Sequence, residues 1–452
     1  MFRRSLALCV LLLACTAGQA LDRQPSEAYR ARRLHLADEL KGGVAVVFAA
    51  EQPLLDLTPY RQDEDFYYLT GWNQPGAALL VESAQSPRPY REILFLPTRN
   101  RHLELYTGVK LDASDPNAPR LTGVDEVRQV TELPGVLNEL AQKDPSAVRE
   151  IASQPDLAKA RALATWLATT LGSDRAAPLT DIGALTMPLR AKKDAGEIAL
   201  LRAASNASVQ AQLAMMKAVH PGAKERTVAG VLIEKLMEEG CERPSYAPIV
   251  GSGANSTSLH YSDNSGTMQD GDVVVVDAAG EYSMYASDIT RTMPVNGHFT
   301  ARQREVYNLV LGAQRAAIDA FVPGKSRIND PRHKYPDSLD SIAFDYMNAH
   351  GKDLHGAPIG KYFIHGIGHL VGIDVHDPWD YSKPIEDGMV FTIEPGIYLP
   401  EEKLGVRIED TFYVNNDGKL IDLTEALPKL PEEVEKIMRA SESSQSAANS
   451  AR

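Results

Sequence analysis

"GDVVVVDAAGEYSMYASDITRT", residues 271–292, is the stretch whose reading decides the fold. The run Val273–Val276 reads as a strand buried on both faces, and it ends on a carboxylate, Asp277. Asp288 follows eleven residues later. A buried, unpaired carboxylate is costly, so it acquires a proton, a cation or a metal. A hairpin turning at Tyr282-Ser283 would set Asp277 directly opposite Asp288, and opposed residues of an antiparallel pair share a face. Taken alone, the stretch is equally compatible with two surface aspartates on a solvated turn.

Sequence further along favours the metal. "FIHGIGHLVGIDVHD", residues 363–377, carries His365, His369 and His376. The first two have the i, i+4 spacing of a helical metal site, but Gly366 and Gly368 argue against a helix and no HExxH glutamate is present. "MVFTIEPGIYLP" ends an apolar strand on Glu394, just before a Pro-Gly break. "LGVRIEDTFYV" sets Glu409 in the middle of another strand, with Arg407 two residues earlier on the same face. The odd separation of Glu394 and Glu409 favours one face if the connection adds no bulge. Four carboxylates carry four negative charges, which two divalent cations neutralise. Carboxylates with one imidazole suit Mn²⁺, Co²⁺ or Zn²⁺ better than a thiolate-seeking metal. Two such ions ~3.5–4 Å apart hold a bridging hydroxide as nucleophile.

The 452 residues, with 44% hydrophobic and 24% charged, predict a globular α/β protein of two domains. A net charge of -13 argues against a nucleic-acid or anionic-membrane partner. Residues 1–20 have the basic start, apolar run and small-residue end of a secretory signal peptide, too short to span a bilayer. The sequence therefore predicts an exported protein, periplasmic or secreted. A lipoprotein box at Leu12–Cys15, with Cys15 lipidated, stands as the alternative. Cleavage after Ala20 leaves only Cys241, so no internal disulfide can form.

Residues 22–185 read as an α/β unit in which runs such as "GGVAVVFAA", "GAALLVE" and "REILFLP" alternate with helical "LPGVLNELAQK" and "LAKARALATWLATTL". "TMPLRAKKD", residues 186–194, reads as a basic, proline-containing link. Asp194 with Glu197 predicts a capping box opening a long helix that ends at His220-Pro221-Gly222. Residues 190–438 form the second unit, and 439–452 read as a disordered polar tail. No internal repeat is visible in the sequence.

"VVVVDAAGEYSMYASDITRTMPVNGHFT", "HGIGHLVGIDVHD", "FTIEPGIYL" and "GVRIED" stand in the order and spacing of the pita-bread metallopeptidases, family M24. Within that family the chain resembles the Xaa-Pro aminopeptidases (aminopeptidases P). "YRQDEDFYYLTGWNQPGAAL", residues 60–79, is similar to the signature of their N-terminal domain. The resemblance implies a creatinase-like α/β domain followed by a pita-bread catalytic domain. It implies Asp277, Asp288, His369, Glu394 and Glu409 as ligands of two divalent ions, most often Mn²⁺, with Asp288 and Glu409 bridging. Glu394 would also take the proton of the attacking water. His260 and His376 would hold the scissile amide and its oxyanion, and His365 would lie on the leaving-group side. Arg407 would support the ligands by charge and hydrogen bonds. The implied substrates are peptides with proline second, and the implied assembly is a homodimer or homotetramer.

Three features depart from the family pattern. The link between Glu394 and Glu409 is short, and Asp377-Pro378-Trp379 replaces the Asp-Val-Gly of many relatives. Tyr106 falls where some relatives carry a tryptophan that reaches a neighbouring subunit. A prolidase limited to Xaa-Pro dipeptides is the alternative activity. A metal-free creatinase-like enzyme and a non-enzymatic peptide-binding module are remoter, because both would be expected to lose ligands that this chain keeps.

Overall fold

The computed structural model describes residues 21–52, 59–85, 88–173, 177–330 and 334–439. The expected signal peptide over 1–20 lies outside the described residues. Of the tail expected over 439–452, only Arg439 is described, and it closes a helical run over 431–439.

In the first unit, apolar runs of five or six residues make the core of one mixed sheet. Its strands are β1 (Val44–Phe48), β2 (Ala78–Glu82), β3 (Arg91–Leu96), β4 (Glu126–Gln129), β5 (Ile151–Ser153) and β6 (Leu179–Asp181), in the order β4-β3-β2-β1-β5-β6. Every residue of β1 and β2 is buried, so the sheet is covered on both faces. The helices Leu133–Lys143 and Ala158–Thr170 fall where their apolar spacing predicts them. The expected link over 186–194 differs: its first residues belong to the helix Ile182–Ala191, which carries Pro188 inside it. Thr186, bonded to Asp65 of the first unit (2.6 Å), and Arg190, paired with both Asp65 and Asp377 of the second, are buried and hold that helix in spite of the proline.

In the second unit the helix Ala195–Met216 opens with the Asp194–Glu197 capping box. The first hairpin system contains β7 (Arg243–Pro244), β8 (Ile249–Ser252), β9 (Val273–Asp277), β10 (Gly280–Tyr282), β11 (Tyr285–Ala286) and β12 (Thr290–Pro294). The second contains β13 (Val390–Ile393), β14 (Gly396–Leu399), β15 (Leu404–Arg407), β16 (Asp410–Val414) and β17 (Leu420–Asp422). The helices Ala195–Met216 and Ala301–Ala320 pack against the first and second system respectively.

Each system is one long hairpin interrupted part-way. In the first, β9 pairs with β12 (Asp277 opposite Thr290) and β10 with β11 (Tyr282 opposite Tyr285). In the second, β13 pairs with β16 (Ile393 opposite Asp410) and β14 with β15 (Gly396 opposite Arg407). The unpaired residues are equal in number on the two strands at each break, so the register continues through it.

Candidate metal centre

The breaks are where the carboxylates lie. The turn of the first hairpin falls on Ser283-Met284, both at positive φ (51° and 73°), one residue later than the sequence reading put it. That shift makes Thr290, not Asp288, the partner of Asp277. Asp288 sits two residues from Thr290, so it keeps the same face and meets Asp277 diagonally. Glu409 is likewise not in the middle of a strand: it lies in the break between β15 and β16, bridged to Thr290 by a bond from its own N–H (3.1 Å). Glu394 occupies the facing break between β13 and β14. The continuous register sets Glu394 and Glu409 opposite one another, as their odd separation predicts.

The histidine segment runs as an irregular edge along β13, with Thr392 N–H bonded to His369 O and Glu394 N–H bonded to Ile367 O. This explains its glycines better than a helix would. A Cβ on Gly368 would lie 2.1 Å from the Thr392 carbonyl oxygen. His369 donates from Nδ1 to its neighbour's carbonyl, Leu370 O (3.1 Å), and turns Nε2 toward Asp288 (3.3 Å) and Glu394 (3.4 Å). Two groups of ligand atoms therefore converge, Asp277–Asp288–Glu409 and His369–Glu394–Glu409, and Glu409 belongs to both. A third group joins Asp288 and His369 to His376, whose ring centroid is 4.0 Å from that of His369.

The electrostatics of this donor set fit divalent cations. Burial pushes the Glu394 carboxyl up to about 7, with His369 opposing the shift and Asp288 adding to it. Burial and the charges of Asp288, Glu394 and Asp277 hold Glu409 well above the carboxylate range. Burial disfavours a charged His369, but its bond to Asp288 and the Glu394 charge outweigh this and raise it to about 9. Asp277, Glu394 and Glu409 are all raised, by burial first and by the charge of neighbouring carboxylates, and divalent cations would relieve that repulsion.

Arg407 is buried and reaches Asp277 rather than Glu409: Nη2 donates to Asp277 Oδ2 (2.6 Å), Nε to the Thr290 hydroxyl (3.2 Å) and Nη1 to the Tyr398 hydroxyl (2.8 Å). His365 donates from Nδ1 to Gly366 O (2.8 Å), so its Nε2 accepts from Tyr398 (2.9 Å). Burial and the Arg407 charge lower its pKa to about 4, and His365 is neutral at physiological pH. His260 and His376 are exposed at the rim. Together these residues line a cavity of about 510 Å³, whose walls also include Ile249, Leu259, Val375 and Tyr381.

Sequence reasoning missed several supports of the site. The Tyr246 hydroxyl lies 2.5 Å from both Asp277 Oδ1 and Asp288 Oδ1. Thr290 donates its hydroxyl to Glu409 (2.6 Å). Glu225, fully buried, gathers donors from the segment that carries His260: Ser252, Asn255, Tyr261 and Gly266. Asp377, next to His376, is held by Arg190 (2.7 Å) and Lys193 (2.9 Å), so the linking helix fixes one wall of the site. A tyrosine or glutamate whose partner lies dozens of residues away leaves no local periodic signal.

The chain matches the model of metallopeptidase family M24 over residues 199–416 and that of the aminopeptidase P N-terminal domain over residues 29–148. It is 33% identical over 439 residues to the Xaa-Pro aminopeptidase of Haemophilus influenzae, covering 92% of this chain and 97% of that protein. The Escherichia coli Xaa-Pro aminopeptidase is 32% identical over 440 residues, covering 92% and 98%. Among solved structures, the low-pH form of E. coli aminopeptidase P superposes with a TM-score of 0.83 at 30% identity, over 93% of this chain and 100% of that one. The same relatives correct the expectation of a periplasmic or secreted protein, anchored at Cys15 or free. They include the cytoplasmic E. coli enzyme and the mitochondrial intermediate cleaving peptidase 55 of Saccharomyces cerevisiae, 27% identical over 436 residues. An apolar N-terminal run is a compositional signal, and composition alone does not fix a compartment. Among the described residues no helix is long and apolar enough to cross a membrane.

Proposed function

Because this chain is a member of metallopeptidase family M24 and a metal-dependent exopeptidase of the aminopeptidase class, we propose that it releases the N-terminal residue from peptides whose second residue is proline. The observation that carries this reading is the pair of three-residue ligand sets sharing Glu409 on one wall of the cavity. We assign Asp277, Asp288, His369, Glu394 and Glu409 as ligands of two divalent ions, on a carboxylate-rich donor set with a single imidazole that suits Mn²⁺, Zn²⁺ or Co²⁺, of which the family resemblance favours Mn²⁺. Such a pair, when bound, supplies a hydroxide at neutral pH and polarises the scissile carbonyl.

This chain's residues supply the rest. Glu394, poised at about 7, accepts the proton of the attacking water and returns it to the leaving nitrogen. His260 and His376, at the rim, hold the amide oxygen as it becomes an oxyanion. Arg407 aligns Asp277 and favours its charged form, against the burial that raises it, and His365 acts through Tyr398 on the leaving-group side. An Xaa-Pro bond is a tertiary amide without an N–H, so recognition falls to the free amine and the ring. Ile249, Leu259, Val375 and Tyr381 offer the ring an apolar wall.

Residues 22–185 form the N-terminal aminopeptidase P-like domain in this reading, and 190–438 the catalytic domain. The exposed apolar side chains Leu103, Leu105, Tyr106 and Val109 favour a homodimer or homotetramer. The direct test is Mn²⁺-supplemented hydrolysis of Xaa-Pro-Xaa, Xaa-Pro and Xaa-Ala-Xaa peptides, with a chelator control. Faster cleavage of the Xaa-Pro-Xaa peptide, abolished by chelator, is expected. Cleavage of the dipeptide alone would make the enzyme a prolidase, and indifference to proline would overturn the specificity.

A further inference from the structure

Two buried glutamines occupy equivalent places in the two hairpin systems. Gln212, on the helix Ala195–Met216, donates from Nε2 to Ala278 O (2.9 Å) and Ile289 O (3.2 Å). Those carbonyls belong to the residues that follow Asp277 and Asp288. Gln314, on the helix Ala301–Ala320, donates from Nε2 to Ile393 O (3.1 Å) and Ile408 O (3.4 Å), and to Asp410 Oδ2 (3.0 Å). Ile393 and Ile408 precede Glu394 and Glu409. Each amide thus straddles one break, with a bond to each strand of its hairpin.

The chemistry of a broken ladder explains why a primary amide suits these positions. Where strands part, the cross-strand bonds that set their separation are missing, and the buried carbonyls left over need donors. One NH₂ group has two protons, so it can serve a carbonyl on each strand and tie both to the same helix. Both glutamines are almost wholly buried, at 0% and 1% exposure, and the Oε1 of each has no partner among the described residues. A buried acceptor left unpaired is a cost. An apolar side chain would avoid it, so what the amide contributes is its bonds across the break.

We propose that Gln212 and Gln314 are positioning residues of the metal centre: Gln212 sets the spacing of Asp277 and Asp288, and Gln314 that of Glu394 and Glu409. The inference rests on the reading of those four carboxylates as ligands. Each pair contains a carboxylate that reaches both ligand sets: Glu409 belongs to both, and Asp288 lies beside Asp277 and Glu409 in one group and beside His369 in another. Loosening either glutamine therefore disturbs both ions.

The test uses the full chain and the variants Gln212→Leu and Gln314→Leu, stripped of metal with chelator and titrated with Mn²⁺ by calorimetry and electron paramagnetic resonance. Thermal melts of the stripped proteins run alongside. Gln212→Leu and Gln314→Leu are each expected to weaken both Mn²⁺ sites at least tenfold. A merely structural role would lower the melting temperature and leave the affinities of the folded protein within threefold, and that result overturns the proposal. If a leucine variant fails to fold, Gln212→Asn or Gln314→Asn keeps the donor on a shorter stem and must weaken both sites at smaller amplitude. A wild-type chain that does not bind two Mn²⁺ ions overturns the metal-centre reading itself, which separates the two failures.

Discussion

Glu225→Gln removes one oxygen from a carboxylate that organises the His260 segment. Oε1 accepts from Ser252 N–H (2.8 Å), the Ser252 hydroxyl (2.7 Å) and Asn255 (3.0 Å), while Oε2 accepts from Gly266 N–H (2.6 Å) and the Tyr261 hydroxyl (2.9 Å). Burial works against ionisation here, yet the Ser252 and Asn255 bonds hold the carboxyl below its usual range. In the glutamine variant the hydroxyls can rotate and Asn255 can flip. The two backbone N–H groups cannot, and they sit on opposite oxygens. Whichever way the new amide turns, one buried N–H faces an NH₂ group. An orphaned buried donor costs about 1–3 kcal/mol, and losing a charged acceptor adds to it. A cost of roughly 3 kcal/mol corresponds to a melting-temperature loss of about 6–12 °C in a domain of this size. A displacement of His260 by ~1 Å should lower kcat/KM by up to about a hundredfold. Differential scanning calorimetry and Xaa-Pro-Xaa kinetics measure both. A variant melting within 1 °C of wild type and turning over at the wild-type rate would refute the reasoning.

Glu409→Ala should abolish activity and empty both metal sites, because Glu409 belongs to both ligand sets; elemental analysis checks the occupancy. Mn²⁺ affinity should fall as the pH drops. His369, at about 9, Glu394, at about 7, and Glu409, held well above the carboxylate range, must lose their protons to act as ligands, so more protons oppose binding as the pH falls from about 9 through about 7. Calorimetric titration over that range reads this as a steepening loss, and a flat profile would contradict it. Asp377→Ala strands the buried Lys193 and weakens the hold on Arg190, at a cost of about 3–5 kcal/mol, with KM rising more than kcat falls as the His376 wall loosens. Gly368→Ala drives a methyl group into the Thr392 carbonyl and displaces His369, which should appear as loss of the His369–Glu394–Glu409 ion in a metal assay.

The sequence by itself determined the class of the protein and the chemistry of its site. Apolar strands that stop on Asp277 and Glu394 are legible because burial and charge conflict within a few residues of one another. The wrongly placed turn did not harm that reading. Shifting the hairpin by one residue changed the partner of Asp277 from Asp288 to Thr290, yet Asp288 kept its face because side chains alternate along a strand. What only the tertiary structure decided is the separation of the ligands and the means that hold it. The strand breaks at Glu394 and Glu409, the proton-sharing Tyr246, the Glu225 hub and the glutamines across the breaks join residues far apart in the chain. The two hairpin systems also repeat one arrangement, carboxylate pair, break and buried amide, that no internal sequence similarity announces. Local pattern specifies which face a residue takes. It cannot specify which distant atom will satisfy a buried carbonyl or carboxylate, because that choice is made only when the helices and hairpins pack.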